Sequence, residues 1–492
     1  MIIGILVRTV AIDQMPNALN GDEASSGYEA FSILKYGIDR NGNKLPVFLV
    51  AWGSGQNALL TYLAIPFIMI FGLNVISIRL PMAIIGCISL IIMYLLLRKI
   101  GNKKIAIIGL AFFAICPWHI MKSRWGLESN LFPDLVLIFV YFLIKGIEDK
   151  NKIIYYLSFV ILGFTSYTYG TSYYFLPVFL IPLLIILVKK EKISIKQAII
   201  SIAIVGIISL PIILYVIINT FGFEQINLPF MTIPKLKVNR YEEITSISIS
   251  NFIESMKILL LQYDNLPWNA IKGIGTIYIF SSLFTIIGLI DSFRKNKMIE
   301  VKYSYIFNIW FVISIILTFI CEPNINRLNI IMIPIIYYTI IGIYMCVKES
   351  KILATLIAIL YLLSFGAFIW KYSNEDCTKY FTFESGLEEV TEYIEIQEDK
   401  EVYFLNNNKF RDYIFILYYS KYNTKDFVDT VKYENEEVEF RAVNEFGRYH
   451  FEEIEEFEQG KMYIVKKDKF EELNIEKEQY KITEFENYVV IE

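Results

Sequence analysis

Three groups of charged residues have the types and spacing that displacement of a phosphate leaving group would need. They are Asp22 and Glu23 within Pro16-Asn-Ala-Leu-Asn-Gly-Asp-Glu-Ala-Ser-Ser-Gly-Tyr28; His119, Lys122, Arg124 and Glu128 within 117–130; and Arg327 within Glu322-Pro-Asn-Ile-Asn-Arg327. A carboxylate can act as general base on an attacking hydroxyl. Arg, Lys and His side chains can hold a phosphate and stabilise the charge that develops on it.

Each of these residues also has a structural interpretation. Asp22 can cap a helix, and His119 can be a hydrogen-bonded structural residue. Arg124 and Arg327 can be interfacial anchors, which is the commoner role of an arginine at the end of a membrane span. Glu128 can pair with Arg124 four residues earlier if that segment is helical. The residue types alone leave these alternatives open.

The composition is that of a multi-pass membrane protein. Hydrophobic residues make up 55% of the 492. Apolar runs long enough to cross a bilayer lie at 76–97, 104–118, 131–147, 153–170, 172–188, 197–218, 274–291, 303–320, 327–347 and 352–370. The stretch Ile2–Ile12 contains Arg8 and is shorter, and it is interpreted as the outer end of a first helix whose beginning is missing. We therefore predict about eleven transmembrane helices.

Basic residues fill every second loop, which fixes the predicted orientation. Lysine and arginine cluster at 98–104, 145–152, 189–196, 294–297 and 348–351, and such loops stay on the cytoplasmic side. The regions 13–75, 118–130, 219–273 and 321–326, the turn at 170 and the tail from 371 then lie on the extracytoplasmic face of the cell membrane. All three charged groups lie on that face, at the depth where the head group of a lipid-borne phosphate would be.

Two further features lie outside the spans. The first outer loop is predicted to hold interfacial helices at Gly27–Gly37, with Ser26 and Glu29 as a capping box, and at Ala58–Phe71. From residue 371 the chain becomes charged, with short alternating runs at 401–405, 438–443 and 462–465 and a helical segment at 411–422. We predict a transmembrane domain over 1–370 and a small extracytoplasmic α/β domain over 371–492.

The motifs together resemble those of glycosyltransferase family 39. The residues that carry the resemblance are Asp22-Glu23 with Gly27-Tyr28, Arg79-Leu-Pro81, Pro117-Trp-His119 with Ser123-Arg124, and Glu128-Ser-Asn130. This family covers protein mannosyltransferase-like and aminoarabinose transferase-like membrane enzymes of the GT-C fold. The resemblance runs from about residue 13 to 347 and leaves the tail out.

The resemblance implies a function and roles for individual residues. It implies inverting transfer of a sugar from a polyprenyl-phosphate donor to an acceptor, with Asp22 as catalytic base, Glu23 beside it and Glu128 as a second acidic residue. His119, Lys122, Arg124, Arg327 and Tyr28 are then expected to contact the lipid phosphate or the sugar. Some GT-C enzymes use a divalent cation, Mg, Mn or Zn, for which Asp22 and Glu128 would be the ligands; the sequence leaves the metal undecided.

Other functions fit the sequence less well. A flippase or exporter of lipid-linked saccharides should carry charged groups at mid-membrane depth and repeated halves, and neither is visible. A GT-C polymerase or ligase for surface polysaccharide stays open as an alternative. The sequence contains no basic stripe of the kind that binds nucleic acid, and the five cysteines form no CxxC pair.

Overall fold

The computed structural model describes residues 1–53, 55–237, 247–374, 383–397, 399–405, 412–435, 437–438, 441–451, 454, 457–473 and 477–492. Within these residues the chain is mainly helical, with a β-sheet near its C-terminus. The helices before residue 375 are α1 (Ile2–Thr9), α2 (Gly21–Tyr36), α3 (Leu59–Phe71), α4 (Val75–Ile100), α5 (Lys103–Ile115), α6 (Pro117–Ser123), α7 (Leu131–Glu148), α8 (Lys152–Phe164), α9 (Ser172–Lys189), α10 (Ile195–Phe221), α11 (Ile249–Leu261), α12 (Ser281–Phe293), α13 (Ser304–Leu317), α14 (Met332–Val347) and α15 (Lys351–Asn374).

The strands and the remaining helices complete the order of elements. The helices after residue 383 are α16 (Leu387–Glu395), α17 (Asp412–Tyr419), α18 (Thr424–Thr430) and α19 (Lys467–Phe470). The strands are β1 (Leu19–Asn20), β2 (Phe48–Leu49), β3 (Gln56–Asn57), β4 (Ile226–Leu228), β5 (Met231–Ile233), β6 (Phe383–Glu384), β7 (Val402–Phe404), β8 (Lys432–Tyr433), β9 (Val443–Phe446), β10 (Tyr449–His450), β11 (Met462–Lys466), β12 (Ile482–Glu484) and β13 (Tyr488–Ile491).

The apolar helices confirm a multi-pass membrane protein. In the described part of the chain, six helices are long and apolar enough to cross a bilayer: Val75–Ile100, Glu128–Glu148, Ser172–Lys189, Ile195–Phe221, Asn329–Val347 and Lys351–Asn374. Helices α5 and α6, bent by 59° relative to each other, make a seventh if they count as one span. The predicted spans at 153–170, 274–291 and 303–320 contain shorter apolar helices. The count of about eleven crossings stays a prediction.

The chain divides into two compact units. Unit 1 comprises residues 1–15, 79–213 and 243–378, and unit 2 comprises 16–78, 214–242 and 379–492. The units do not follow the predicted domain boundary at residue 370, because the first outer loop groups with the tail rather than with the membrane helices. The division of the chain by contacts in space thus differs from the division at residue 370 that the sequence predicts.

Close helix packing in unit 1 depends on two glycines. A Cβ atom added to Gly288 of α12 would lie 1.9 Å from the carbonyl oxygen of Tyr338, and one added to Gly342 of α14 would lie 1.9 Å from that of Phe284. Each helix therefore places a glycine against the backbone of the other. Small residues at such crossings let membrane helices approach closely without loss of packing.

Unit 2 is built around a mixed sheet with the strand order β12-β13-β11-β7-β10-β9-β8. Strand β7 runs parallel to both of its neighbours, and the other pairs are antiparallel. Tyr28 and Phe31 of α2 belong to the same hydrophobic core as Phe415 of α17 and Val402 and Met462 of the sheet. The first outer loop and the tail therefore fold around one core.

The predicted secondary structure of unit 2 is partly confirmed. Helix α3 matches the prediction for 58–71, and β7, β11 and α17 match three predicted elements of the tail. The run at 438–443 includes residues outside the described ones, and β9 begins only at Val443. The capping box predicted at Ser26 and Glu29 is wrong, since α2 begins six residues earlier and both residues lie inside it.

Candidate functional site

Asp22 is the second residue of α2, in unit 2. The helix is capped by Asn20, whose side-chain oxygen accepts a hydrogen bond from the Asp22 amide at 2.8 Å. Glu23 completes a capping box by accepting from the Asn20 amide at 3.2 Å. Asp22 is therefore not the cap, and its partly exposed carboxylate accepts a long hydrogen bond of 3.4 Å from Gln56. The positive end of the helix dipole favours a negative charge at this position.

Glu23 and Tyr28 are both used inside unit 2. Glu23 is 0% exposed, and its carboxylate serves the helix cap. Tyr28 is also fully buried, and its hydroxyl donates to the carbonyl oxygen of Tyr422 at 3.0 Å and lies 3.2 Å from the Thr424 hydroxyl. Burial raises the pKa of Tyr28. These two side chains hold α2 in place, so we do not assign them a contact with substrate.

Helix α6 carries two of the predicted residues, His119 and Lys122, and Arg124 follows directly at its C-terminal end. His119 is 1% exposed and lies between two charged partners. The Arg8 guanidinium donates to its Nδ1, with the shorter contact at 2.7 Å, and its Nε2 lies 3.2 Å from Asp134 Oδ1. Because a guanidinium can only donate, the proton of a neutral ring is on Nε2, which then donates to Asp134. Both ring nitrogens are occupied, which supports the structural interpretation of His119.

Arg124 is engaged with the first helix. Its Nε, Nη1 and Nη2 donate to the carbonyl oxygens of Met15, Val7 and Ala11 at 2.9, 2.9 and 2.7 Å. Val7 lies in the last turn of α1, where carbonyls lack partners within the helix, and Ala11 and Met15 belong to the turn that follows it. Arg124 thus caps α1 and is 1% exposed.

Lys122 has different surroundings. Its side chain is buried, and its Nζ donates to Asn269 Oδ1 at 2.9 Å and to Asn326 Oδ1. The ammonium also lies 5.0 Å from the centre of the Trp125 ring. Among the described residues no carboxylate oxygen is within ion-pair distance of this nitrogen. The three outer segments of unit 1 at 117–130, 262–270 and 321–328 therefore meet around one cation.

A residue that the sequence reasoning missed organises this cluster. Asp264 Oδ2 accepts from Asn269 Nδ2 at 2.7 Å and from the Ile325 amide at 2.9 Å. Asp264 thereby holds together the two segments that supply the amide partners of Lys122. In the sequence, Asp264 and Asn269 are two polar residues of the long loop at 219–273. Their position in a loop does not distinguish them from residues that face the solvent.

Glu128 and Arg327 make local arrangements. Glu128 is 9% exposed and begins a short 3-10 turn before α7, so the segment from Arg124 to Glu128 is not one helix. Arg327 forms an ion pair with the more exposed Glu322, and its amide donates to Asn324 Oδ1 at 2.8 Å. The expected convergence of Asp22, Glu128 and Arg327 stays a prediction, because Asp22 belongs to unit 2 and the other two to unit 1.

A metal site lacks support in the donor set. No group of three or more His, Cys, Asp or Glu residues with the geometry of a metal site occurs in the parts of the chain that are described. We therefore assign no metal ligand, and a divalent cation held by Asp22 and Glu128 stays a prediction from the resemblance. The four described cysteines are free thiols.

Comparison with known proteins agrees with this architecture. Residues 58–218 match the family model described as dolichyl-phosphate-mannose-protein mannosyltransferase. No curated protein matches the sequence.

Solved structures give longer matches. The crystal structure of ArnT from Cupriavidus metallidurans bound to undecaprenyl phosphate superposes with a TM-score of 0.60 and 11% identity, covering 100% of this chain and 96% of ArnT. The apo form of the same protein superposes with a TM-score of 0.55 and 10% identity, covering 99% of this chain and 95% of ArnT. The Archaeoglobus fulgidus oligosaccharyltransferase in complex with Zn and sulfate superposes with a TM-score of 0.53 and 11% identity, covering 84% of this chain and 56% of the oligosaccharyltransferase. The predicted likeness is thus confirmed, and the chain has the GT-C fold of membrane glycosyltransferases.

Proposed function

We propose that this protein transfers a sugar from a polyprenyl-phosphate donor to an acceptor on the extracytoplasmic face of the cell membrane. Support comes from the GT-C fold, from the mannosyltransferase family model and from the undecaprenyl phosphate in the ArnT structure. The alternation of basic loops in the sequence supports the sidedness. The sugar and the acceptor are left open in this proposal.

The observation that carries the proposal is the buried ammonium of Lys122. Burying a charge costs several kcal/mol unless a countercharge compensates it. Lys122 is 2% exposed, and its partners among the described residues are two amide oxygens and an aromatic ring. The Asp264 carboxylate lies one hydrogen-bonded side chain away, beyond Asn269, and an incoming phosphate would supply a negative charge in direct contact with the ammonium. We therefore assign Lys122 to the phosphate of the lipid donor.

We assign the role of general base to Asp22. In an inverting transfer, the acceptor hydroxyl attacks the anomeric carbon while the bond from that carbon to the phosphate oxygen breaks. The hydroxyl proton passes to the Asp22 carboxylate, and the bonding electrons leave with the polyprenyl phosphate. Asp22 suits this role better than Glu23, because Asp22 is partly exposed and its carboxylate is not part of the capping box, whereas Glu23 is buried and its carboxylate is.

A transfer assay tests the proposal. Membranes containing the protein would be supplied with undecaprenyl phosphate carrying radiolabelled mannose or aminoarabinose, and transfer to endogenous acceptors would be counted. We expect Asp22→Asn to lose about 100-fold or more in kcat, as general-base variants do. Asp13→Asn serves as a control, because Asp13 is an exposed carboxylate in the same stretch of sequence. Equal transfer by the Asp22→Asn variant and the wild type would remove Asp22 as the base.

A further inference from the structure

The segment that carries Asp22 is attached to the tail by a short β-ladder. Strand β1 pairs with β6 in antiparallel fashion, with Leu19 opposite Glu384 and Asn20 opposite Phe383. Asn20 is both the last residue of β1 and the N-cap of α2. The backbone that positions Asp22 therefore begins in a pairing with residues more than 360 positions away in the sequence.

Two-residue strands are too short to be stable by themselves, so β6 needs its own anchor. Glu384 provides it. Its carboxylate accepts a hydrogen bond from the Tyr488 hydroxyl at 2.8 Å and pairs with Lys466 Nζ at 3.1 Å. Lys466 and Tyr488 lie directly opposite each other in the pairing of β11 with β13. Glu384 is 6% exposed, so these contacts are shielded from water.

Asp22 is the second residue of α2, directly after the N-cap Asn20 and Gly21. Its position therefore depends on the backbone at the start of α2, which Asn20 and Glu23 fix through the capping box. A catalytic group must be held to within about 0.5 Å of its productive geometry.

We propose that Glu384 is a positioning residue for Asp22, through which the tail sets the geometry of the general base. Lys466 and Tyr488 fix Glu384 to the central sheet, β6 holds β1, and β1 ends at the cap of α2. This inference rests on the proposed function, because it takes Asp22 as the base. It gives the tail a role in catalysis that does not require the tail to touch the substrate.

The chain offers a closely matched control. Glu492 follows β13 and is also held by a lysine and a tyrosine, with Lys400 Nζ at 2.8 Å and the Tyr393 hydroxyl as partners, and in addition by Gln397 and Lys481. The side chains of Glu384 and Glu492 are equally exposed, at 7%. Among the described residues, the side-chain partners of Glu492 all lie within the tail, whereas the strand of Glu384 also pairs with β1. Both Glu384→Ala and Glu492→Ala thus remove an ion pair with a lysine and a hydrogen bond from a tyrosine, and Glu492→Ala removes two further contacts, yet only Glu384 lies in a strand that pairs with β1.

The experiment measures transfer and amide exchange in the full-length protein. For Glu384→Ala we expect kcat to fall about 10- to 100-fold with an unchanged KM for the lipid donor, since a small displacement of a catalytic group costs up to that much. Glu492→Ala should stay within about twofold of the wild type. Hydrogen exchange of a peptide covering 16–28 should become about tenfold faster or more in Glu384→Ala only.

Tyr488→Phe and Tyr393→Phe repeat the comparison with a smaller change, in case an alanine variant does not fold. Equal effects of the two members of each pair on kcat and on exchange would overturn the inference. Faster exchange with unchanged transfer would also overturn it, because the position of Asp22 would then not depend on Glu384. Failure of the proposed function has a different signature, namely full transfer by Asp22→Asn.

Discussion

The two cations at the C-terminal end of α6, Lys122 and Arg124, allow a test that distinguishes a structural role from a role in binding the phosphate. Lys122 and Arg124 are two residues apart and both buried, and the sequence assigns both to the phosphate. In the structure Arg124 donates to three backbone carbonyls near the end of α1, whereas Lys122 is held by two amide side chains. We predict that Arg124→Met lowers stability and that Lys122→Met lowers affinity for the lipid phosphate.

The expected magnitudes follow from the contacts. Hydrogen bonds to charged groups contribute about 1.5–3 kcal/mol each. Removing Arg124 leaves three carbonyls without this donor, and because the contributions of neighbouring bonds do not add up in full, we expect a loss of about 3–5 kcal/mol in the free energy of unfolding, the amount typical of losing a buried charged partner. Losing one partner of a buried charged pair weakens binding by about 2–5 kcal/mol. For Lys122→Met this corresponds to roughly 30-fold or more in Kd.

Binding of undecaprenyl phosphate to the purified protein in detergent is a suitable assay, with undecaprenol as the neutral control. Thermal unfolding of the same samples reports stability. Lys122→Met should bind the phosphate as weakly as the wild type binds undecaprenol while keeping most of its thermal stability. A variant Arg124→Met that is as stable as the wild type and has lost binding would refute the reasoning, because Arg124 would then be the phosphate ligand.

Three further outcomes are expected. Glu23→Ala should lower the free energy of unfolding by about 1 kcal/mol through loss of the capping box, measured as a lower Tm. Gly288→Ala should be far more damaging, by more than about 3 kcal/mol, because its methyl group would overlap the Tyr338 carbonyl, and yield of folded protein from membranes would show it. Hydrogen bonds, with that from Lys400 first among them, lower the pKa of Glu492 from 4.5 to about 2 despite opposing desolvation. Its ionised form therefore stabilises the fold fully above about pH 4.5, and this stabilisation is lost as the pH falls towards 2; Glu492→Gln should remove that part of the pH dependence of Tm.

The membrane helices were the most predictable part of the structure. Apolar length is a local property, and the runs at 76–97, 131–147 and 352–370 became α4, α7 and α15 with ends shifted by a few residues. The start of α2 was less predictable. Two pairs of residues in the sequence fit a capping box, namely Asn20 with Glu23 and Ser26 with Glu29. Only the first pair caps α2, because the carboxylate of Glu29 has a partner outside the helix. That partner is Arg40, whose Nε lies 3.2 Å away in a buried ion pair.

The roles of individual cations could not be predicted for a related reason. An arginine at a span end looks the same in sequence whether it meets a phosphate, water or a helix terminus. Only the tertiary structure shows that Arg124 meets the carbonyls of α1. The same holds for the pairing of β1 with β6, since two residues on each side give no local pattern. Long-range contacts of this kind decided which of the predicted site residues remain candidates.

The placement of charge along the spans separates the transferase from an exporter. Helix α4 has no Asp, Glu, Lys or Arg between Arg79 and Arg98, and α15 has none between its terminal lysines. In α12 the buried Asp291 lies in the last turn, where its carboxylate accepts from the amides of Met298 and Ile299. An exporter needs polar groups at mid-membrane depth to pass a saccharide. Charge confined to the ends of these helices instead suits an enzyme that leaves the lipid tail in the bilayer and acts on its phosphate at the surface.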